Sequence, residues 1–321
     1  MISDKQHIQE IAEWLESRNR LLITGHQRPD GDCLGSILAL GMALSAAGKT
    51  CRLAVSDPVP HIYHFLPGME TLGTISRIDT EFDGVITLEC GSASRTGIKG
   101  IESLSSLNID HHASTEPWAD LNWINPEFAA VGEMILLLLD EMGLEISADI
   151  AGNLFAAVMT DTGSFQYSNT TAGTFMAASR LVSRGADPAE ISRAVYMNQK
   201  VSRLKLLARV LETMEIDSSG RIASIRMTLE DLEATGAEGD DTEGFVNYPL
   251  SVQGIEASVF LRQAGEHLYR ISLRSKQKID VSQVAVRFGG GGHARASGFS
   301  LESHSLQEAR ELVLSELRAL L

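Results

Sequence analysis

The sequence GHQRPDGDCLGS, at residues 25–36, joins two apolar segments. The run RLLIT before it predicts a buried strand, and the glycine-tolerant run from Leu34 to Ala47 after it predicts a helix. Between them, His26, Asp30 and Asp32 place one imidazole and two carboxylates within seven residues. Acids crowded in this way oppose each other's ionisation unless a positive charge lies between them. The stretch is consistent with a site for Mn²⁺, Fe²⁺ or Zn²⁺, or with a solvated Asp-Gly turn beside an incidental histidine.

The length and the cysteine content limit the class of protein. A chain of 321 residues predicts two domains. No apolar run approaches the ~20 residues needed to cross a bilayer, and no signal-peptide pattern opens the sequence. The three cysteines, Cys33, Cys51 and Cys90, form no Cys-x-x-Cys pair. We therefore expect a cytoplasmic protein of a reducing compartment, without a membrane segment.

The charge of the chain restricts its partners. The formal net charge is −15 at pH 7. Long nucleic acids normally bind to a basic face, so we expect no binding to long DNA. A small anionic substrate is not excluded, because metal ions and a few arginines can create a local positive site on an acidic protein.

Short apolar runs alternate with segments of helical periodicity along the N-terminal part of the chain. This alternation predicts an α/β fold with a mostly parallel sheet flanked by helices. The predicted strands are residues 20–24, 49–55, 82–88 and 105–109. The predicted helices are residues 4–18, 34–47, 127–142, 148–159 and 172–184, followed by a helical segment from 191 to about 213.

Polar residues follow the ends of three predicted strands: His26, Glu89 and Asp110. Ligands bind beyond the carboxyl ends of the strands in parallel sheets, so we expect these residues at one edge of the sheet. Asp161 follows an apolar predicted helix, where its charge opposes the helix dipole and favours a nearby cation or donor. Together with Asp-His-His at 110–112, these motifs supply more ligands than one ion needs. Two ions about 3.5–4 Å apart would use them, and such a pair polarises a phosphoryl group and deprotonates the attacking water.

The pattern changes from Glu215 onward to short strands and turns, which begin with a hairpin and predict a smaller α/β domain. The run GGGGHARASG, at residues 289–298, lies near the end of this domain, and a helix at 306–320 closes it. Alone the glycines predict a flexible turn, but with His293 and Arg295 they predict a cradle for an anion, because consecutive glycines let backbone N–H groups approach a ligand. The candidate substrate-binding residues are Gly290, Gly291, Gly292, His293, Arg295, Ser297, Arg274 and, as a weaker candidate, Arg262.

In this order the motifs resemble those of the DHH-family phosphoesterases. The first motif of that family, His-x-x-Pro-Asp-Gly-Asp-x-x-Gly-Ser, stands at residues 26–36, and the motif that names the family stands at 110–112. The stretch around Asp161 is similar to the fourth motif, and the glycine run with His293 and Arg295 resembles the DHH-associated C-terminal domain. Size and layout are most similar to the nanoRNase/pAp phosphatase group.

The resemblance implies a domain layout and an activity. Residues 1–187 would form the DHH catalytic domain, 188–213 a helical linker, and 214–321 the DHH-associated substrate-binding domain, with a cleft between the two domains. Enzymes of this group hydrolyse very short oligoribonucleotides to mononucleotides and remove phosphate from 3′-phosphoadenosine 5′-phosphate (pAp). The resemblance also implies short RNA or nucleotides as substrates, and a homodimer is an expectation from the family.

The resemblance further implies a cofactor of two divalent ions, with Mn²⁺ as the expected metal. His112 would lie against the scissile phosphate, as an electrostatic stabiliser or a proton donor, and Asp110 would orient its neighbours. The implied metal ligands are His26 and Asp30 for one ion, Asp32, His111 and Asp161 for the other, and Glu89 as the bridge.

Glu89 departs from the family pattern, which normally has Asp at this strand end. The extra methylene displaces the bridging oxygen unless the backbone retreats, and a misplacement of ~1 Å can cost about a hundredfold in rate. A catalytically weak nucleotide-binding regulator therefore stays open as one alternative. A phosphodiesterase acting on pApA or cyclic-di-AMP is the other, because these substrates share an adenylate-like end and a phosphate with pAp and short RNA. Cys33 and Cys90 lie beside the motifs, and we interpret both as small buried residues that fill space.

Overall fold

The computed structural model describes residues 4–276 and 278–321, without the side chain of His293. Its internal contacts divide the chain into two compact units, Met1–Asn198 and Gln199–Leu321. Each unit has its own six-stranded sheet. The finer division predicted from the sequence, with a helical linker at residues 188–213, stays a prediction.

The first unit contains a sheet in which every strand pair is parallel, in the order β3-β2-β1-β4-β5-β6. The predicted α/β fold with a parallel sheet flanked by helices is confirmed. The edge strands β3 and β6 were not predicted, since they are short and only half-buried. The six strands are β1 Arg20–Thr24, β2 Thr50–Val55, β3 Leu72–Thr74, β4 Gly84–Leu88, β5 Ser106–Asp110 and β6 Leu121–Ile124.

Helices pack against this sheet through one large core. Leu21 and Ile23 of β1 face that core, whereas Leu22 faces a smaller apolar cluster with Val85 and Ile101. Strands of a parallel sheet are buried on both faces in this way, which explains why RLLIT reads as a continuous apolar run. The helices are α1 Asp4–Glu16, α2 Gly31–Ala46, α3 Val131–Glu141, α4 Ala148–Asp161, α5 Ala172–Ser183 and α6 Pro188–Tyr196.

Two glycines let α2 and α4 approach each other closely. A Cβ atom on Gly35 would lie 2.4 Å from the carbonyl oxygen of Asn153, and one on Gly31 would lie 2.3 Å from Oγ1 of Thr160. Such distances exclude any side chain at these two positions. The close packing brings the start of α2 to the end of α4, where Asp161 is the last helical residue.

The second unit has a mixed sheet in the order β11-β12-β10-β9-β8-β7. Its pair β8–β9 is parallel, and the other pairs formed by the described residues are antiparallel. Val259 and Leu261 of β9 face one core, whereas Phe260 faces another that contains Leu206. The predicted hairpin is present as β7 and β8. The elements are α7 Val201–Glu212, β7 Glu215–Ile216, β8 Ile222–Met227, α8 Leu229–Thr235, β9 Ala257–Gln263, β10 Leu268–Ser275, α9 Val281–Arg287, β11 Gly291–His293, β12 Ala296–Glu302 and α10 Leu306–Arg318.

One helix prediction was wrong in detail. The segment from 191 to about 213 forms two helices, because α6 ends at Tyr196 and α7 begins at Val201. The break lies at the division between the two units. Among the described residues, no helix combines the length and the apolar character needed to cross a membrane.

Candidate metal centre

The strand order places the polar motifs side by side. Strands β1 and β4 are neighbours at the centre of the sheet, at the point where the strand order reverses. Ligands of open α/β sheets bind at such switch points, beyond the carboxyl ends of the strands. His26 follows the end of β1, Glu89 follows β4 directly, and Asp110 is the last residue of β5. The sequence motifs therefore meet at one edge of the sheet.

The carboxylate of Glu89 lies between two imidazoles. Its Oε1 atom is 3.4 Å from Nε2 of His111, and its Oε2 atom is 3.6 Å from Nε2 of His26. These distances exceed the ~2.7–2.9 Å of a charge-assisted hydrogen bond. Glu89 Oε2 and His111 Nε2 are both buried and have no hydrogen-bond partner among the described residues. Buried polar atoms are normally paired, and a cation bound between these atoms would pair both of them.

Backbone carbonyls fix the orientation of both imidazoles. His26 Nδ1 lies 2.8 Å from the carbonyl oxygen of Gln27, and His111 Nδ1 lies 3.2 Å from that of Phe128. A carbonyl only accepts, so each Nδ1 carries the proton and donates it. Each Nε2 therefore faces Glu89, and its lone pair would be available to a cation bound between them, as in metal-binding histidines.

The six predicted metal ligands form one cluster. Donor atoms of Asp32, His111 and Asp161 lie within 4.8 Å of one another, with His111 Nε2 3.6 Å from Asp161 Oδ2. Asp30 lies at the rim: its side chain is 53% exposed and its Oδ2 is 3.8 Å from His26 Nε2. Among the described residues, the other triads of donor atoms within the same limit are His26, Cys33 and Glu89, and Glu89, His111 and His112.

Asp32 also has a structural role that the sequence did not reveal. Its Oδ2 accepts a hydrogen bond from the backbone N–H of Val131 at 2.6 Å, and its Oδ1 accepts from that of Gly132 at 2.8 Å and from the hydroxyl of Ser36 at 3.0 Å. These amides belong to the first turn of α3, where a carboxylate satisfies unpaired N–H groups. Asp32 therefore ties α2 to α3 at the edge of the cluster.

Asp110 fixes the position of His112, which follows the predicted metal ligand His111 in the sequence. Its Oδ1 accepts from Nδ1 of His112 at 2.7 Å and from the backbone N–H of the same residue at 3.0 Å. Its Oδ2 accepts from the hydroxyl of Thr115 at 2.6 Å. Asp110 is fully buried, so these contacts are shielded from water and fix the orientation of the His112 ring.

The pKa values of the cluster show how the charges are balanced without a metal. Burial lowers the pKa of His26, but the carboxylates of Asp30 and Glu89 outweigh it and raise the value to about 11. For His111, Glu89 likewise overcomes the effect of burial and raises the pKa to about 10. Burial and the charge of Glu89 raise the pKa of Asp161 to about 7. The buried carboxylates thus favour positive charge at this place, and a divalent cation would supply it.

The backbone is unusual at the centre of the cluster. Glu89 has a φ of 59°, in the left-handed region that residues other than glycine rarely adopt. Such conformations cost about 1–3 kcal/mol and concentrate at functional sites. The strained backbone indicates that Glu89 has a functional role at this position.

The predicted substrate-binding glycines differ in their surroundings. A Cβ atom on Gly290 would lie 2.3 Å from the carbonyl oxygen of Gly298, and one on Gly292 would lie 2.5 Å from that of Ala296. These two glycines are needed for the pairing of β11 with β12. A Cβ atom on Gly291 would meet no described atom within 4 Å, so packing does not explain this glycine.

The other predicted substrate-binding residues make contacts inside the second unit. Arg274 pairs in register with Ala296 beside the glycine run, whereas Arg262 pairs with Arg270, farther along the sheet. The side chain of His293 lies outside the described residues. Their assignment to substrate binding stays a prediction. The contacts are Arg262 to Thr242 Oγ1 at 3.0 Å, Arg274 to Leu273 O at 3.0 Å, Arg295 to Ile279 O at 2.6 Å and Ser297 to Val281 O at 2.7 Å.

Comparison with known proteins identifies the family. The model for the N-terminal domain of the DHH family matches residues 20–158, and the model for the DHHA1 domain matches residues 222–319. The bifunctional oligoribonuclease and PAP phosphatase NrnA of Thermus thermophilus is 32% identical over 309 residues, which cover 96% of this chain and 92% of that protein. This chain belongs to the DHH family. The family predicted from the sequence motifs is confirmed.

Two further similar proteins match this chain over both of its units. The probable bifunctional oligoribonuclease and PAP phosphatase NrnA of Streptococcus mutans is 30% identical over 97% of this chain and 98% of that protein. The crystal structure of an exopolyphosphatase-related protein from Bacteroides fragilis matches with a TM-score of 0.91 and 30% identity, over 98% of this chain and 96% of that one.

Three features beside the candidate site were not predicted from the sequence. The sulfur of Cys33, which we interpreted as a filling residue, lies within 4.8 Å of donor atoms of His26 and Glu89. The carbonyl of Phe128 orients His111, and the amide of Asn169 donates to the carbonyl of Asp161 at 3.2 Å. Every residue has a backbone carbonyl, so the contact made by that of Phe128 cannot be recognised from the sequence. Asn169 lies in a loop without a motif.

Proposed function

We propose that this protein is a metal-dependent phosphoesterase that hydrolyses short oligoribonucleotides to mononucleotides and removes phosphate from pAp. The observation that carries the proposal is the buried Glu89 carboxylate between His26 and His111, with Glu89 Oε2 and His111 Nε2 unpaired among the described residues. The Thermus thermophilus relative is named for both activities.

The donor set fits two divalent ions, and Mn²⁺ is the ion we propose. Imidazole nitrogen and carboxylate oxygen suit Mn²⁺, Fe²⁺ and Zn²⁺. When bound, two such ions polarise the phosphoryl group and activate the attacking water. The residues that would hold them are Asp32, His111 and Asp161 for one, His26 and Asp30 for the other, and Glu89 between the two.

His112 is the group we assign to proton transfer. Burial lowers the pKa of His112, but the carboxylate of Asp110 overcomes this effect and raises it above the usual value. A raised pKa favours the protonated imidazole, which is the form that can donate a proton to the leaving oxygen. Asp110 acts through His112 by holding its Nδ1 at 2.7 Å.

The glycine run of the second unit is the candidate cradle for the nucleotide. The backbone beside Gly291 is open. Arg274 pairs in register with Ala296, and Arg295 directly precedes Ala296 in the sequence. Arginine binds phosphate through a rigid pair of donors, which suits a short anionic substrate. The net charge of −15 opposes the binding of a long nucleic acid elsewhere on the surface.

The test is a comparison of substrates on the metal-stripped full-length protein as Mn²⁺ is added back. We expect Mn²⁺ to restore turnover of pAp and of di- to pentaribonucleotides, and we expect His111→Ala to abolish it. His64→Ala, at an exposed histidine outside the donor groups, is the control and should retain full activity.

Three results would contradict the proposal. Faster hydrolysis of cyclic-di-AMP or pApA than of pAp and short RNA would favour the alternative phosphodiesterase. Binding of one metal and of nucleotide without turnover would favour a regulator. Equal rates with and without metal would remove the metal centre from the mechanism.

A further inference from the structure

The structure suggests that one of the two metal positions contains sulfur. We infer that Cys33 supplies a thiolate ligand to the ion held by His26 and Glu89, and that this position therefore prefers softer metals than the position formed by Asp32, His111 and Asp161. The inference rests on the proposed function, because it concerns the same metal centre.

The geometry of the three donors supports a shared ion. Donor atoms of His26, Cys33 and Glu89 lie within 4.8 Å of one another. Metal–ligand bonds of about 2.0 Å to nitrogen or oxygen and about 2.3 Å to sulfur allow two ligands of one ion to be up to about 4.4 Å apart. A small contraction around the ion is enough to bring all three into its coordination shell.

Local structure holds the sulfur in place. Cys33 lies in the first turn of α2, and its N–H donates to the side chain of Asp30 at 3.1 Å. Its side chain is fully buried. A Cβ atom on Gly25 would lie 2.1 Å from the Cys33 sulfur, so the sulfur occupies the space that this glycine leaves open next to His26.

Cys90 shows that burial beside the cluster does not by itself make a thiol a ligand. It is as buried as Cys33 and follows Glu89 directly in the sequence. Its thiol donates to the carbonyl oxygen of Leu88 at 3.4 Å. Cys90 belongs to none of the donor groups found among the described residues, so its sulfur serves as an internal comparison for that of Cys33.

A second observation points independently to a ligand at this position. Glu89 is only 4% exposed, and its Oε2 faces His26 without a hydrogen-bond partner in the described part of the chain. A cation between these two residues would pair the oxygen. When it binds, the thiol of Cys33 releases its proton to solvent and the sulfur donates a lone pair to the ion.

The chemistry of the two positions then differs. Thiolate ligands favour Zn²⁺, Co²⁺ and Fe²⁺ over Mn²⁺, whereas carboxylate and imidazole accommodate Mn²⁺. The triad Asp32, His111 and Asp161 contains only nitrogen and oxygen donors. We therefore expect a centre that binds Zn²⁺ or Co²⁺ first at the position that contains Cys33.

The test is a Co²⁺ titration of the metal-free full-length protein, followed by absorption spectroscopy. The visible ligand-field bands report that Co²⁺ is bound, and a near-ultraviolet sulfur-to-cobalt charge-transfer band reports a thiolate ligand. We expect the charge-transfer band in the wild type and in Cys90→Ala, and we expect its loss in Cys33→Ala and Cys33→Ser. Zn²⁺ affinity should fall about tenfold or more in both Cys33 variants, with a smaller change in Mn²⁺ affinity.

The outcomes separate this inference from the proposed function. Visible bands without a charge-transfer band in the wild type, or an unchanged band in Cys33→Ser, would make Cys33 a packing residue and leave the metal centre intact. Absence of all cobalt bands from the wild type would overturn both. If Cys33→Ala fails to fold, Cys33→Ser keeps the size of the side chain and removes only the sulfur.

Discussion

The Oδ2 atom of Asp32 accepts a hydrogen bond of 2.6 Å from the backbone N–H of Val131, which lies 99 residues farther along the chain. The same carboxylate belongs to a candidate metal-binding triad with His111 and Asp161. One side chain thus caps a helix and contributes to the site. The packing of α2 against α3 and the assembly of the metal centre are therefore coupled.

Asp32→Ala should destabilise the metal-free protein. Its removal leaves the N–H groups of Val131 and Gly132 buried without an acceptor, which costs about 1–3 kcal/mol. Urea unfolding without metal near pH 4 measures this loss. Asp161→Ala is the matched control at this pH, because it removes a carboxylate of the same triad that caps no helix and whose charge does not yet lower the stability. Equal stability of the two variants would contradict the capping role of Asp32.

Asp161→Asn should stabilise the metal-free protein at alkaline pH. The pKa of Asp161 is raised from 3.8 to about 7, first by burial and then by Glu89. Between these pH values the folded protein holds a proton that the unfolded chain has lost, so stability falls as the pH rises. Asparagine carries no charge and avoids this penalty.

The increase in the free energy of unfolding caused by Asp161→Asn should be absent near pH 4 and reach about 1–3 kcal/mol at pH 8. This range allows for the partial exposure of the carboxylate. Urea unfolding at several pH values measures it. At saturating Mn²⁺ the variant should be less stable than the wild type, because the charge of Asp161 then stabilises the bound metal ion. A gain that does not vary with pH would show that Asp161 is ionised normally.

Local sequence predicted the central elements of the first unit and the starts of α1, α4 and α5, but not the residues at which α2 and α3 begin. Helix α3 begins at Val131, four residues after the predicted start at residue 127, because Asp32 captures the N–H groups at that point. Helix α2 begins at Gly31, before the predicted start at Leu34, because Asp30 caps it. The carboxylate that caps α3 belongs to Asp32, which is distant in the sequence, so no local pattern reveals it.

The position of three sequence motifs at one edge of the sheet could be predicted, because it depends on the fold class and not on helix capping. In a parallel sheet the strand ends share one edge, so His26, Glu89 and Asp110 could be placed together from the alternation of elements alone. The place of Cys33 in a donor group depends on the register of α2 beside Gly25, which sequence spacing does not determine. The separation of Arg262 from the glycine run depends likewise on strand register.

Glu89→Asp should lower the activity about tenfold to a hundredfold. The two carboxylate oxygens of Glu89 already reach His111 at 3.4 Å and His26 at 3.6 Å, so loss of one methylene moves them away by ~1 Å or more. Aspartate tolerates the left-handed backbone, so strain is not the expected cause. The measurement is kcat/KM for pAp at saturating Mn²⁺.

Glu133→Asp is the matched control for this change, since Glu133 is a buried glutamate outside the donor groups of the described residues. It should retain wild-type kcat/KM. If Glu89→Asp were as active as the wild type or more so, the extra methylene would be a handicap, as the comparison with the family motif predicts.

Gly291→Ala should impair substrate binding without impairing the fold. A Cβ atom at this position meets no described atom within 4 Å, so the free energy of unfolding should stay within about 0.5 kcal/mol of the wild type. A nucleotide lying against the backbone would collide with the new methyl group, so KM for pAp should rise several-fold. Gly239→Ala is a control in the same unit, with equally open surroundings. An unchanged KM in Gly291→Ala would exclude the glycine run as the nucleotide cradle.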